Sequence, residues 1–119
     1  MTSCIVYHFA YANKRSEIPR ALRMQRLLTQ QFVVAEDLVV VGRFQTGLTN
    51  RDRHFADTAE FSSACRQAVA LGCPLLLADI EDMLKRTDPR LIKECVVTVF
   101  RSGASILDAR ASPSYSRWA

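Results

Sequence analysis

Short apolar runs alternate along the chain with longer segments in which apolar residues return every three or four positions. Cys4-Ile5-Val6-Tyr7-His8-Phe9-Ala10-Tyr11 is rich in β-branched and aromatic residues and predicts a first strand. Ser16 followed by Ile18-Pro19 marks a helix entry with Ser16 as its N-cap. Beyond it, Ala21, Leu22, Gln25, Leu28 and Phe32 share one helical face, while Arg20, Arg23 and Arg26 make a basic edge on the other side. Leu38 to Phe44 predicts a second strand, and Gln45 to Arg53, with Gly47, Asn50 and alternating charges, an exposed loop. Phe55 to Leu71 reads as a second helix, with Phe61, Ala64, Cys65, Ala68 and Val69 inward and Gly72 ending it.

Leu75 to Ala78 is apolar without alternation, as in a strand covered on both faces. Asp88-Pro89 is an N-cap with proline in the first turn, and it opens a third helix. Leu91, Ile92, Cys95, Val96, Val99 and Phe100 form that helix's buried stripe and Gly103 closes it; its caps outweigh the β-branched content of Val96 to Val99. Ala104 to Asp108 is a last short strand. The order β-α-β-α-β-α-β implies a three-layer α/β fold, a mostly parallel sheet of four to five strands flanked by helices. One domain, residues 1–109, is expected, with residues 110–119 as a flexible tail containing Pro113 and three serines.

Composition adds little beyond an ordinary globule: 49% hydrophobic and 24% charged residues in 119. No apolar run approaches the roughly 18 residues that cross a membrane, and no basic segment precedes the first apolar run, so a cytoplasmic protein is expected. Cys4, Cys65, Cys73 and Cys95 include no CxxC pair and read as buried free thiols, with no metal site and no cofactor implied. The net charge of +4 permits contact with phosphates but is also what keeps a surface soluble.

The isolated glycines exclude Rossmann and Walker loops, no GxSxG elbow occurs, and the first strand lacks the early acidic pair of a receiver domain. In open α/β sheets, sites form at the carboxyl ends of the strands. Those ends gather His8, Tyr11, Glu81, Asp82 and Lys85. A histidine with two carboxylates suits acid-base work or a divalent cation, so a small-molecule or metal-binding domain or enzyme is one reading. In the plainer reading His8 is a satisfied strand histidine and Glu81-Asp82 a helix-start pair.

Several stretches together resemble the catalytic domain of the serine recombinases, the resolvase/invertase family, over most of Cys4 to Asp108. Tyr7-His8-Phe9-Ala10-Tyr11 stands where that family has a strand ending Y-R-V-S-T. Gln25-Arg26 matches a pair on its first helix, and Thr46-Gly47 matches the small residue and glycine after its second strand. Gly72, Leu75 to Ala78 and Glu81-Asp82-Met83-Leu84-Lys85 parallel its glycine, apolar strand and D-R-L-x-R turn.

The departures fall on the chemistry. The family's serine nucleophile falls at Ala10, its neighbouring arginine at His8, and the aspartate and arginine pair of the turn at Glu81, Asp82 and Lys85. A further arginine falls near Thr58, unless Arg53 substitutes for it. Attack on a phosphodiester needs a nucleophile and cations aimed at the developing charge. The resemblance therefore implies a degenerate domain that does not cleave DNA and acts by binding DNA or a protein partner. DNA would be held at its phosphates by Arg20, Arg23, Arg26, Arg51 and Arg53. Self-association through Tyr115 and Trp118 of the tail is a further expectation.

Overall fold

The computed structural model describes residues 2–49, 59–79, 97 and 105–110. In chain order these form β1 (Thr2–Tyr11), a 3-10 turn (Arg15–Glu17), α1 (Ile18–Ala35), β2 (Leu38–Leu48), α2 (Ala59–Leu71), β3 (Leu75–Leu77) and β4 (Ile106–Asp108). The sheet order is β2-β1-β3-β4, and every pairing is parallel. This is the α/β architecture that the alternating pattern implied. Of the expected third helix, Val97 alone falls within the described residues, and it is helical. Glu81, Asp82, Lys85, Arg51, Arg53, Thr58, Tyr115 and Trp118 lie outside them.

β1 is the centre of the molecule. Its residues from Cys4 to Ala10 are all buried, because each face carries a helix and each edge a strand. Alternation sends Ile5, Tyr7 and Phe9 to one face, where they pack with Phe61, Ala64 and Ala68 of α2 and with Leu75, Leu77 and Ile106. Cys4 and Val6 face the other way, against Phe32 of α1 and Leu76. The two small residues of α2, both fully buried, let that helix lie close to the sheet. Phe61 meets Tyr7 edge to face at 5.1 Å.

β2 is longer than the sequence pattern predicts, and it changes parity along its length. It runs on to Leu48, so Gln45 to Leu48 are strand rather than loop; they pair with His8 to Tyr11, and Thr46 and Leu48 are buried. The β1–β2 register shifts between Cys4, opposite Val40, and Ile5, opposite Gly42. Val41 is thus an extra residue in β2, a bulge that reverses which face later side chains point to. Before it, Leu38 and Val40 pack toward α1. After it, Phe44 and Leu48 pack toward α2.

Two glycines flank this arrangement for steric reasons. A Cβ on Gly42 would lie 2.6 Å from Gln67 Oε1 and 2.8 Å from Ile5 Cδ1. One on Gly47 would lie 2.4 Å from Ile18 Cγ2, so α1 begins directly over the end of β2.

Both described helices end as their chemistry requires, though not always at the expected residue. The expected cap Ser16 sits inside the 3-10 turn; Glu17 is the N-cap residue of α1 and Pro19 lies in the first turn, where a missing N–H costs nothing. α2 closes on Gly72 at φ +63°, with Cys73 N–H donating to Ala68 C=O and Gly72 N–H to Val69 C=O. On its inner face Phe61, Ala64 and Ala68 are buried and Cys65 packs beside them, but Val69, expected inward, is 40% exposed. It stands about 100° of helical rotation past Ala68, which turns it off the sheet.

The close approach at Gly47 generates a prediction. Gly47→Ala is expected to cost about 1–3 kcal/mol in chemical denaturation, the usual range for overpacking. Combining it with Ile18→Ala should return part of that loss, giving a non-additive double-mutant cycle. Additive losses would show that Ile18 is not what the methyl meets.

Candidate functional site

The carboxyl end of β1 carries most of the polar groups buried within the described core. His8, Thr29 and Thr46 are the buried polar residues there. After the bulge, Arg43, Gln45 and Gly47 alternate on the α1 side of β2 while Phe44, Thr46 and Leu48 face α2. α1 crosses this side of the sheet with Ile18 over Gly47, Thr29 over His8, and Phe32 over Cys4 and Val6.

His8 is 2% exposed, with Nε2 2.8 Å from Thr29 Oγ1. The Thr29 hydroxyl in turn donates to the carbonyls of Gln25 and Arg26, at 3.2 and 3.1 Å. With its single proton directed at the helix backbone, the hydroxyl accepts from Nε2–H, which selects that tautomer of a neutral imidazole. Burial pushes the His8 pKa down to about 4, and the charges of Arg26 and Arg43 add to the shift. This histidine belongs to the core beneath α1, the plainer of the two roles open to it from sequence.

Gln25 has a different task. Its Oε1 accepts from the Phe9 N–H at 2.6 Å, and its Nε2 donates to the Phe9 carbonyl. Among the described residues β3 pairs with β1 from Ile5 to Tyr7, and Phe9 is the next residue whose backbone turns toward β3's side, past the end of that ladder. One carboxamide supplies both partners, as a neighbouring strand would. Periodicity placed Gln25 on the inner face, and its polarity there was the available signal.

Ala10 is 2% exposed and lies opposite Gly47 within the strand. Tyr11 is half-buried and stacks edge-on to Phe9 at 5.7 Å. On the other face the Tyr7 hydroxyl donates to Thr46 Oγ1 at 2.6 Å. Asp79, just past β3, holds Arg110 through a 3.3 Å ion pair, linking the ends of β3 and β4. Arg20, Arg23 and Arg26 are all exposed along α1.

Neither Cys4 nor Cys73 offers a reactive thiolate. Burial, then the neighbouring Cys73, push the Cys4 thiol up to about 11, and burial raises Cys73 as well. They also belong to cores on opposite faces of the sheet. No three His, Cys, Asp or Glu residues gather as a metal site among the described residues. Nor is any helix among them long and apolar enough to cross a membrane.

The buried imidazole makes stability depend on pH. Because the folded pKa lies below the unfolded value of 6.5, the unfolded chain takes up the proton first. Stability is therefore full above pH 6.5, falls as pH drops from there toward 4, and loses on the order of 3 kcal/mol from this group. Denaturation of His8→Gln alongside the parent, at pH 7 and pH 4.5, should show a smaller acid loss in the variant. Equal losses would place the acid sensitivity in other groups.

No protein-family model and no curated protein matches the chain. Solved structures do. The C-terminal catalytic domain of ISC1926 TnpA, an IS607-like serine recombinase, superposes with a TM-score of 0.64 at 9% identity, covering 92% of this chain and 72% of that one. A resolvase family site-specific recombinase from Streptococcus pneumoniae gives 0.62 at 13% identity, covering 93% and 76%. At such identities the likeness concerns the fold and leaves the chemistry open. The chain has the fold of serine recombinase catalytic domains.

Proposed function

We propose that this chain is a recombinase-fold domain that contacts the phosphate backbone of DNA and does not cut it. The observation carrying the second half is Ala10. At the position that corresponds to the family's nucleophile stands a buried methyl group, with no atom to attack phosphorus. The first half is supported by Arg20, Arg23 and Arg26, exposed on one helix with no acidic partner among the described residues. Guanidinium groups so placed suit phosphate oxygens without reading bases. Arg51 and Arg53 would extend the same contact if the chain after β2 follows this surface.

A protein partner is the second reading. Met24, Leu27 and Val34, 57%, 50% and 75% exposed, fall on one side of α1, an apolar strip that a partner would cover.

Two measurements on the purified chain test the proposal. Fluorescence anisotropy with a labelled duplex should show binding that weakens steeply as salt is raised, since each phosphate contact releases counterions. Incubation with supercoiled plasmid should yield neither nicked DNA nor a covalent protein–DNA adduct. Absence of binding at low salt would remove the DNA reading in favour of a protein partner. An adduct would overturn the claim that cleavage is lost.

A further inference from the structure

The parity change at Val41 brings to α1 an arginine that strand periodicity alone would have placed elsewhere. Gly42 and Phe44 face α2, so Arg43 between them points to the α1 side. There it stands opposite Val6, one step along the strand face from Gln45, which stands opposite His8. Arg26 stands on α1 one turn ahead of the Thr29 that covers His8, and its carbonyl accepts from the Thr29 hydroxyl. Both arginines are exposed, and both act electrostatically on the His8 ring.

Among the described residues neither arginine has an ion-pair partner. The acidic residues bordering α1, Glu17 before it and Glu36 and Asp37 after it, lie at the two ends of the helix, far from Arg26 in its middle. Two like charges held around a neutral, buried base repel each other and favour any one anion that reaches both. Arginine forks bind phosphate oxygens two at a time, and Gln45 adds a neutral donor alongside.

We infer that Arg26 and Arg43, with Gln45 next along β2, form a seat for one phosphate-class anion on the surface where α1 meets β2, beside the part of the helix that covers His8. The inference rests on the phosphate-contact reading above and deepens it by adding Arg43, which lies outside the arginine row of α1. The anion is either a phosphodiester of the DNA backbone or a free phosphate.

His8 provides a built-in reporter: burial is the main reason its proton is held off, the two arginines add to that, and an anion on them cancels their share. The test follows the His8 ring by NMR through a pH titration of the full chain, alone, with inorganic phosphate and with a short duplex. It is repeated for Arg43→Gln, and for Arg43→Lys as a charge-retaining control, with circular dichroism confirming that each variant is folded. The inference expects the ligand to raise the His8 pKa in the parent, the rise to vanish in Arg43→Gln, and part of it to persist in Arg43→Lys. In anisotropy, Arg43→Gln should flatten the slope of log affinity against log salt by about one phosphate contact.

A rise with the duplex assigns the seat to the DNA backbone. A rise with inorganic phosphate alone supports the seat while removing the DNA reading. If neither anion moves His8, the seat is wrong. It is equally wrong if the duplex binds, Arg43→Gln keeps the parent salt slope, and Arg20→Gln or Arg23→Gln lowers it; the DNA reading then survives without it.

Discussion

Because β1 is buried on both faces, the strand beside it has to offer a suitable side chain to each helix along its whole length, and one inserted residue governs that match. Up to Val40, β2 gives its even-numbered side chains to α1. After Val41 it gives them to α2, where Phe44, Thr46 and Leu48 meet Tyr7, Phe9 and Phe61, and it hands Arg43, Gln45 and Gly47 to α1. A strict two-residue alternation would have put the arginine in the α2 core and Phe44 on the α1 side. The glycines on either side follow from the same constraint: Gly42 lets α2 bring Gln67 down to the sheet, and Gly47 lets α1 start over the strand end.

The end of β1 poses a second constraint, since β1 runs on past its described ladder with β3 in a nearly dry place. β3 accompanies β1 only to Tyr7, and Phe9 is 2% exposed. An unmet buried amide or carbonyl costs about 1–3 kcal/mol each. Gln25 meets both from a helix, which also fixes how α1 rotates over the sheet: with Gln25 on Phe9, Thr29 one turn later falls on His8 and Phe32 falls on Val6. The polar contacts and the apolar packing of α1 therefore demand the same rotation.

The parallel α/β order was legible because strands buried on both faces and amphipathic helices carry different periods, and because Gly72 sits at a helix end that only a residue tolerant of positive φ fills without strain. The continuation of β2 was not legible. Gln45, Thr46 and Gly47 have loop-like composition, and they are strand because β1 beside them supplies a full ladder of partners. The bulge was hidden for a related reason: four apolar residues from Leu38 to Val41 give no alternation from which a phase change could be read. At the candidate site, Gln25, His8 and Ala10 were each singled out from sequence. Thr29 was passed over, because a threonine on a helix ordinarily turns to water, and only the position of His8 beneath it makes it a core residue. Arg43 was missed because its direction depends on the bulge.

What the end of β1 does electrostatically follows from which groups lie inside and which lie outside. A guanidinium at position 8, under α1, would stay charged at every relevant pH and would need a buried anion or a bound phosphate to be tolerated. An imidazole there can shed its proton, is satisfied by one hydroxyl, and leaves α1 closed on the sheet with no ligand present. Ala10 adds no polar group to that floor. The positive charge of this end sits instead on Arg26 and Arg43, at the surface, where water screens it and where an approaching anion need not enter the core to reach it. Attack on a phosphodiester requires a nucleophile and cations together in a desolvated pocket, whereas this strand end buries Ala10 and keeps its cations outside. The buried neutral floor and the exposed basic rim thus follow one rule: charge stays in water, and only groups that can be neutral enter the core.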